Sequence, residues 1–210
     1  VVIMMADSEV LPWKHCVWSN DRVVTMGDGT EQTPIVEIDY ALPDNMFCKT
    51  CWHWLEPATV RDDTCHMCGT EGNLEMRPRR IHGWIGIQRY FDKSHFGIDF
   101  IRNGRVIEEL NKDCFNWINP EGQNVLEYPI DTTHWGGRIV GQINIDFAKV
   151  FYMKDKFEKN RKSWREVLEV IRGSSPLRPR IADSLEMPRN ISYLNQLFRA
   201  FRSGSKVGRR

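Results

Sequence analysis

The sequence predicts an α+β protein in which a mixed β-sheet is followed by C-terminal helices, with a small zinc-ribbon β module as an added unit. Three observations support this prediction. Segments with β-branched or alternating apolar residues precede the segments with helical apolar spacing along the 210-residue chain. Two C-x-x-C pairs lie between the predicted strands. Hydrophobic residues make up 41% of the chain and charged residues 27%, a composition typical of folded globular proteins.

The first region of the interpretation, residues 1–82, is a small β region. Short strands are predicted at residues 22–26 and 34–40, because β-branched residues there are bounded by glycine and proline. The Pro-Asp-Asn run at 43–45 is expected to break the chain before the first C-x-x-C pair. The zinc knuckles are placed at residues 46–70.

Four of the six cysteines form the two C-x-x-C pairs, which are separated by 13 residues. The predicted ligands are Cys48, Cys51, Cys65 and Cys68. Tetrahedral zinc needs four converging ligands, and each C-x-x-C turn supplies two thiolates. Gly69 follows the last cysteine, where a turn can require positive φ. The alternative is four reduced or disulfide-paired cysteines. His53 and His66 are expected to be bystanders, and a closed four-thiolate site is expected to be structural.

The second region, residues 83–173, is predicted as the α+β domain. Strands are predicted at residues 85–91, 96–101, 106–110 and 139–146, because apolar residues alternate there. Asn103-Gly104 predicts a tight hairpin between the second and third of these strands. A helix is predicted over residues 158–172, and Gly173 ends it. Its apolar stripe is expected to cover the sheet and consists of Trp164, Val167, Leu168 and Ile171.

The third region, residues 174–210, is predicted as a linker, a basic helix and a tail. Residues 149–210 carry 16 Lys and Arg against 6 Asp and Glu, whereas residues 1–148 carry 13 against 22. The predicted nucleic-acid contacts are Arg199, Arg202, Lys206, Arg209 and Arg210. The tail offers charge without an ordered set of base-reading side chains, so this binding would be independent of sequence. The alternative is that the tail lies against the acidic first part of its own chain.

Several function classes are disfavoured by what the sequence lacks. It contains no G-x-x-x-x-G-K-[ST] or G-x-G-x-x-G phosphate loop, no H-E-x-x-H and no G-x-S-x-G. No apolar run approaches the ~18–20 residues of a membrane span. The apolar start of the chain has no basic region before it, which argues against a signal peptide. We therefore expect an intracellular protein, cytoplasmic or nucleoid-associated, with no membrane partner.

Three segments carry a resemblance to a known family. They are residues 97–107, with the Arg-Asn-Gly-Arg hairpin, residues 137–146, with a glycine inside an apolar strand, and residues 150–157, with a lysine, an acidic residue and a phenylalanine before a helix. In this order they resemble the transducer domain of the GHKL ATPase superfamily, and within it the microrchidia (MORC) family with its prokaryotic and phage relatives. The resemblance covers residues 83–173 and implies a ribosomal-protein-like transducer fold.

The resemblance also implies a function. In this superfamily a separate N-terminal domain binds ATP and Mg²⁺, and a loop of the transducer domain supplies a lysine to the γ-phosphate. Lys154 matches that position. The nucleotide-binding motifs are absent from this chain, so it would not hydrolyse ATP alone. The implied partners are the ATPase domain, in cis or in trans, then DNA and a second copy of the chain.

A second interpretation assigns the chain to a different class of function. In it the chain is a non-enzymatic zinc-ribbon module that binds nucleic acid or a protein partner through its basic C-terminal third. An ATPase domain encoded just upstream of Val1 would favour the transducer interpretation, and a reading frame that starts near Val1 would favour the module.

Overall fold

A computed structural model describes residues 14–55, 62–129 and 136–201, together with residues 4–6, 8, 9 and 134. Twelve strands lie in this part of the chain: β1 (Met4–Met5), β2 (Ser8–Glu9), β3 (Val24–Thr25), β4 (Glu31–Gln32), β5 (Ile35–Cys48), β6 (Trp54–Leu55), β7 (Leu74–Asp92), β8 (Gly97–Arg102), β9 (Arg105–Asn111), β10 (Asn116–Ile118), β11 (Asn124–Leu126) and β12 (Gly137–Asn144). A 3₁₀ turn spans Asp113–Phe115. Three helices follow the strands: α1 (Lys162–Arg172), α2 (Pro179–Ser184) and α3 (Tyr193–Phe201).

Six of these strands form one curled sheet in the order β6-β5-β7-β12-β8-β9. β12 pairs with β8 in parallel, and the other neighbours pair antiparallel. The sheet is therefore mixed, and the helices come after it in the chain. This confirms the predicted α+β class with C-terminal helices. β1 with β2, β3 with β4 and β10 with β11 form three separate two-stranded hairpins.

The main core lies between this sheet and helices α1 and α3. Trp164 of α1 is 2% exposed, and its ring centroid lies 4.9 Å from that of Phe100 on β8. Val167 and Ile171 are fully buried beside it, whereas Leu168 is half-buried at the edge. The helical stripe predicted from the sequence therefore covers the sheet as expected. Burial of large apolar side chains of this kind stabilises a fold by about 1.5–3 kcal/mol each before entropy is subtracted.

The two longest strands, β5 and β7, form one hairpin that extends beyond the body of the sheet. Their pairing runs from Ile35↔Gly86 to Cys48↔Leu74, with a register shift between Leu42 and Asn45. The chain break expected at residues 43–45 is therefore a β-bulge inside a continuous strand, since a bulge accommodates residues that cannot keep the regular ladder. The expected boundary between residues 82 and 83 likewise falls inside β7.

The segment after α1, which was expected to be a linker, packs against the body. Leu177 is 1% exposed, and its backbone N–H donates to Glu127 at 2.9 Å. The Glu127 carboxylate also pairs with the Arg172 guanidinium, and both side chains are buried. The Asn190 side-chain amide donates to the carbonyl oxygens of Arg172 and Ser175, each at 2.6 Å. These buried polar contacts hold the segment in place. If the segment moved away, the buried Glu127 carboxylate would lose the Leu177 N–H, and a buried charge that loses its partners is costly.

None of the helices among residues 162–201 is long and apolar enough to cross a membrane, and the same holds for the rest of the described chain.

Candidate metal centre

The two C-x-x-C pairs meet at the far end of the β5–β7 hairpin. Cys48 is the last residue of β5, and the short strand β6 turns back to pair with it, with Met46 opposite Leu55 and Phe47 opposite Trp54. We call residues 46–55 and 62–74 the zinc ribbon. The hairpin thus presents this unit at one end of the sheet and brings both cysteine pairs to the same point.

The two turns around the cysteines share one backbone pattern. In the first, the Trp52 N–H donates to the Cys48 carbonyl at 2.9 Å, and the Cys48 N–H donates to the carbonyl of residue 53. In the second, the Gly69 N–H donates to the Cys65 carbonyl at 2.7 Å, and the Cys65 N–H donates to the Thr70 carbonyl. Each C-x-x-C turn therefore has the same loop geometry and places its two sulfurs on one side, as a zinc knuckle does.

The residue after each C-x-x-C pair adopts positive φ, 62° at Trp52 and 74° at Gly69. Glycine accepts this conformation without strain, as expected for Gly69, but a tryptophan does not. Trp52 is also 70% exposed, and its ring meets the Phe47 ring edge-on with centroids 6.1 Å apart. The equivalence of positions 52 and 69 follows from the C-x-x-C spacing, but the strained and exposed tryptophan had no distinct signal in the sequence.

The four sulfurs converge as a tetrahedral site requires. The Sγ atoms of Cys48 and Cys68 lie 3.7 Å apart, and those of Cys51 and Cys65 lie 3.6 Å apart. All four ligand atoms lie within 4.8 Å of one another, and none of these cysteines is in a disulfide. A tetrahedron with Zn–S bonds of about 2.3 Å has edges of about 3.8 Å, so the observed separations fit a zinc ion at the centre.

Hydrogen bonds around the sulfurs favour the thiolate at two positions. The Thr70 hydroxyl lies 3.4 Å from the Cys68 Sγ, and hydrogen bonding by the Thr70 side chain and backbone lowers the pKa of Cys68 to about 6. The backbone N–H of Cys51 lowers the pKa of Cys48. Burial raises the pKa of Cys51 to about 12. A metal ion at the centre would oppose the effect of burial at Cys51, since metal coordination deprotonates a thiol outright.

The zinc ribbon has its own small apolar cluster, which is separate from the main core. Its buried members are Cys48, Leu55 and Cys65, and Met46, Cys51 and Leu74 pack against them. Neither His53 nor His66 belongs to the group of converging ligand atoms that the described residues form. The His53 ring nitrogen Nδ1 lies 3.1 Å from the Cys51 carbonyl oxygen instead. This arrangement agrees with the expectation that the two histidines are bystanders.

Lys154 lies in the loop that follows β12, outside the cysteine cluster. The base of this loop is closed by a bridge between Val150 and Phe157, and Phe157 is 1% exposed. The N–H of Lys154 donates to the Phe151 carbonyl at 2.8 Å, and Lys154 itself has a φ of 55°. Residues 151–156 are exposed, with Tyr152 97% exposed at the tip. The loop is thus anchored by its base and presents its tip to solvent.

The predicted nucleic-acid residues are only partly described. Arg202, Lys206, Arg209 and Arg210 lie outside the described residues. Arg199 lies in the last turn of α3 and donates from Nη2 to the Asp28 carboxylate at 3.1 Å. Asp28 follows β3 in the turn of the β3–β4 hairpin. The first residue of the predicted set therefore contacts the acidic part of its own chain.

No protein-family model, curated protein or solved structure is significantly similar to this chain.

Proposed function

We propose that this chain binds one structural zinc ion and is the transducer and zinc-binding portion of a MORC-like GHKL ATPase. A separate N-terminal domain binds and hydrolyses ATP, and the chain couples that cycle to a conformational change on DNA. The zinc part of the proposal is carried by the tetrahedral spacing of four cysteine sulfurs, 3.6 and 3.7 Å across the two pairs. The ATPase part rests on the resemblance of residues 83–173 and on the presentation of Lys154.

The four thiolates of the zinc ribbon would hold the metal without an open position. Such a site stabilises a fold and leaves no coordination position for substrate or water. The small cluster around Leu55 is too limited to order the ribbon alone. In the proposal, the metal therefore replaces an apolar core at this end of the hairpin.

The position of Lys154 supports a role in sensing phosphate. The side chains of Lys154 and Lys156 are exposed and form no ion pair among the described residues, whereas Lys149 pairs with Glu158 and Lys159 pairs with Glu108 and Asp113. Of the two unpaired lysines, Lys154 is the one that matches the family position. A compact ammonium group on an exposed loop can reach a phosphate of another domain and stabilise its negative charge. Loss of that phosphate would release the loop and change the contact between the domains.

Metal analysis tests the zinc part. The purified chain should contain one equivalent of zinc, and Cys65→Ser should lose it. Cys16→Ser is the matched control, because Cys16 is an exposed cysteine outside the cluster. A wild-type chain with well under one equivalent of zinc and four titratable free thiols contradicts the proposal.

Turnover in the parent protein tests the Lys154 part. With the ATPase domain present, Lys154→Ala should lower ATP turnover strongly and leave the zinc content unchanged. Lys162→Ala is the matched control, since Lys162 is an exposed lysine on α1 that pairs with Glu166. Equal turnover in the two variants would remove Lys154 from the mechanism.

The DNA part depends on the basic tail. Neutralising about four phosphates of duplex DNA should give a slope near −3.6 when log affinity is plotted against log salt, and deletion of residues 202–210 should flatten it. A chain whose tail lies against its own acidic surface instead shows no salt-dependent binding. The contact between Arg199 and Asp28 is the observation that favours this alternative for the start of the tail.

A non-enzymatic role for the zinc ribbon is the second candidate. One observation favours it: Trp52 occupies a strained position with positive φ and is 70% exposed, although glycine occupies the equivalent position 69. Tryptophans of this kind are frequent centres of protein interfaces. The sequence of the parent gene upstream of Val1 distinguishes the candidates, because only the transducer requires an ATPase domain.

A further inference from the structure

Two arginines stack on one tryptophan at the side of the sheet. The guanidinium carbon of Arg22 lies 4.0 Å from the centroid of the Trp18 ring, and that of Arg89 lies 5.4 Å from it. The segment that carries Trp18 is fixed to β7 by backbone hydrogen bonds, Trp18 N–H to Ile87 O at 3.0 Å and Arg89 N–H to Cys16 O at 2.8 Å. Stacking fixes the plane of a guanidinium group but leaves its N–H edge available.

A third arginine, Arg138 at the start of β12, lies in the same neighbourhood. Its guanidinium carbon is 5.0 Å from the centroid of the Phe91 ring, and its backbone N–H donates to the Tyr128 hydroxyl at 2.6 Å. The Arg138 Nε atom is buried without a hydrogen-bond partner among the described residues. Burial lowers the pKa of the Arg138 guanidinium, and the positive charge of Arg22 lowers it further. Phe91 follows Arg89 by two residues on β7, and side chains two residues apart share one face of a strand, so the Arg138–Phe91 contact lies on the face that carries Arg89.

These three arginines lack the acidic partners that other arginines of the sheet have. On β7 itself, Arg77 pairs with Glu75, Arg79 with Glu166 and Arg80 with Asp39. Within the described chain, Arg22, Arg89 and Arg138 form no ion pair, although Arg89 contributes to lowering the pKa of Asp21. Three positive charges beside a single nearby counter-charge among the described residues, that of Asp21, favour the binding of an anion.

The surface also presents aromatic faces. Phe91 is 38% exposed and lies on the same face of β7 as Arg89, whereas Tyr90, which is 45% exposed, lies on the opposite face. Proteins that bind single-stranded nucleic acid combine cations that follow the phosphates with aromatic rings on which bases stack. We propose that Trp18, Arg22, Arg89, Phe91 and Arg138, the arginine–aromatic surface, bind single-stranded nucleic acid. The arginine edges bond the phosphate oxygens, and the exposed Phe91 ring accepts a base.

The arginine–aromatic surface contains neither a predicted zinc ligand nor Lys154, and it shares no residue with the basic tail. The probe for the test is a fluorescein-labelled 20-nucleotide oligothymidylate, and binding is followed by fluorescence anisotropy across salt concentrations. The wild-type chain should bind with an affinity that falls as salt rises. Arg22→Gln and Arg89→Gln should each weaken binding about five- to tenfold. Because each variant removes one cation from the phosphates, each should also reduce the salt slope by about 0.7.

Arg165→Gln is the matched control, because Arg165 is an exposed arginine on α1 and its loss changes the net charge equally. Its affinity should stay within twofold of the wild type. Phe91→Ala should weaken binding even at high salt, where phosphate contacts contribute least. Arg89 is exposed, so its substitution should leave the melting temperature and the zinc content unchanged.

Three outcomes overturn the proposal. The first is no binding of the oligonucleotide by the wild-type chain at low salt. The second is an equal loss of affinity in Arg89→Gln and Arg165→Gln, which would reduce the effect to net charge. The third comes from two comparison ligands, a duplex of the same length and inorganic phosphate. Equal losses of duplex affinity and single-strand affinity in Arg89→Gln, or loss of inorganic phosphate binding in that variant without loss of oligonucleotide binding, rule out a single-strand surface.

Discussion

Removal of the metal should unfold the zinc ribbon and leave the body of the protein folded. The reason is that the two apolar clusters are separate. The ribbon cluster is built around Cys48, Leu55 and Cys65, whereas the main core contains the sheet and the helices. Phe47 and Trp54 lie at the junction, because the Trp54 ring packs against both Phe47 and Phe147 of the body with centroids 5.3 and 6.4 Å apart.

The magnitude follows from the size of the ribbon. Ordering its roughly 20 residues costs on the order of 20–40 kcal/mol of backbone conformational entropy. Leu55 is 1% exposed and Phe47, at the junction, is 5% exposed, and burial of each returns about 1.5–3 kcal/mol. Knuckle and strand hydrogen bonds add about 1 kcal/mol each. Structural zinc contributes about 10–16 kcal/mol at neutral pH, so its removal takes away the largest single stabilising contribution.

Amide hydrogen exchange measured with and without a zinc chelator is the appropriate assay. The N–H groups of Cys48, Trp52, Cys65 and Gly69, which form the knuckle hydrogen bonds, should lose protection in the chelated protein. Amides of the sheet centre, such as that of Ile143, should keep it. Cys65→Ser should reproduce the pattern without chelator, and Cys16→Ser should not.

Two results would refute this reasoning. Unchanged protection of the knuckle amides after complete zinc removal would show that the ribbon is held by its own contacts. Simultaneous loss of protection in the ribbon and at Ile143 would show that the two clusters fold as one cooperative unit.

Two further predictions concern the body. Gly97→Ala should lower the free energy of unfolding by about 2–4 kcal/mol, as measured by denaturant unfolding. Gly97 has a φ of 142°, and a Cβ atom there would lie 2.3 Å from the Leu110 carbonyl oxygen of β9. Gly27→Ala is the control and should be nearly neutral, because there is open space around Gly27. The pKa of Asp28 is lowered from 3.8 to about 2, mainly by the Thr30 hydroxyl and also by Arg199. The ionised Asp28 carboxylate therefore contributes to stability above about pH 4, and this contribution is lost as the pH falls toward 2. In an NMR titration, Thr30→Val should raise this pKa more than Arg199→Gln, and the reverse order would contradict the assignment.

The features that the sequence predicted correctly depend on residues close together in the chain. The Asn103-Gly104 turn joins β8 to β9, with Asn103 at a φ of 49° and Gly104 at 73°. The stripe from Trp164 to Ile171 is periodic within one helix, and each cysteine pair is a four-residue motif. Such signals need no knowledge of the tertiary fold, and both the stripe and the cysteine cluster lie where they were expected.

The features that the sequence did not predict depend on distant partners. The β5–β7 hairpin continues through residues 43–45 because β7 supplies a matching strand more than 30 residues later. The Gly-Ser-Ser-Pro segment after α1 resembles a linker in composition, yet Glu127 and Asn190 hold it against the body. The hairpin β10–β11 and helix α2 were also not predicted, since both are too short to show a periodic pattern. The arginine–aromatic surface combines residues from three separate segments.

The β-bulge at Leu42–Asn45 lies between the zinc ribbon and the part of β7 that pairs with β12. β7 connects the ribbon to the sheet centre, where it pairs with β12, and β12 leads to the loop of Lys154. A regular ladder would transmit disorder of the ribbon along β5, but the register shift leaves Pro43 and Asp44 outside the paired register before pairing resumes at Asn45. On the body side of the bulge, β7 is held by buried contacts of Ile81 and Ile85 with the main core. The ribbon also contacts the body through Trp54 and Phe147, but the base of the Lys154 loop is closed separately by the Val150–Phe157 bridge. Disorder of the metal-free ribbon should therefore end at the bulge, and the Lys154 loop should keep its conformation.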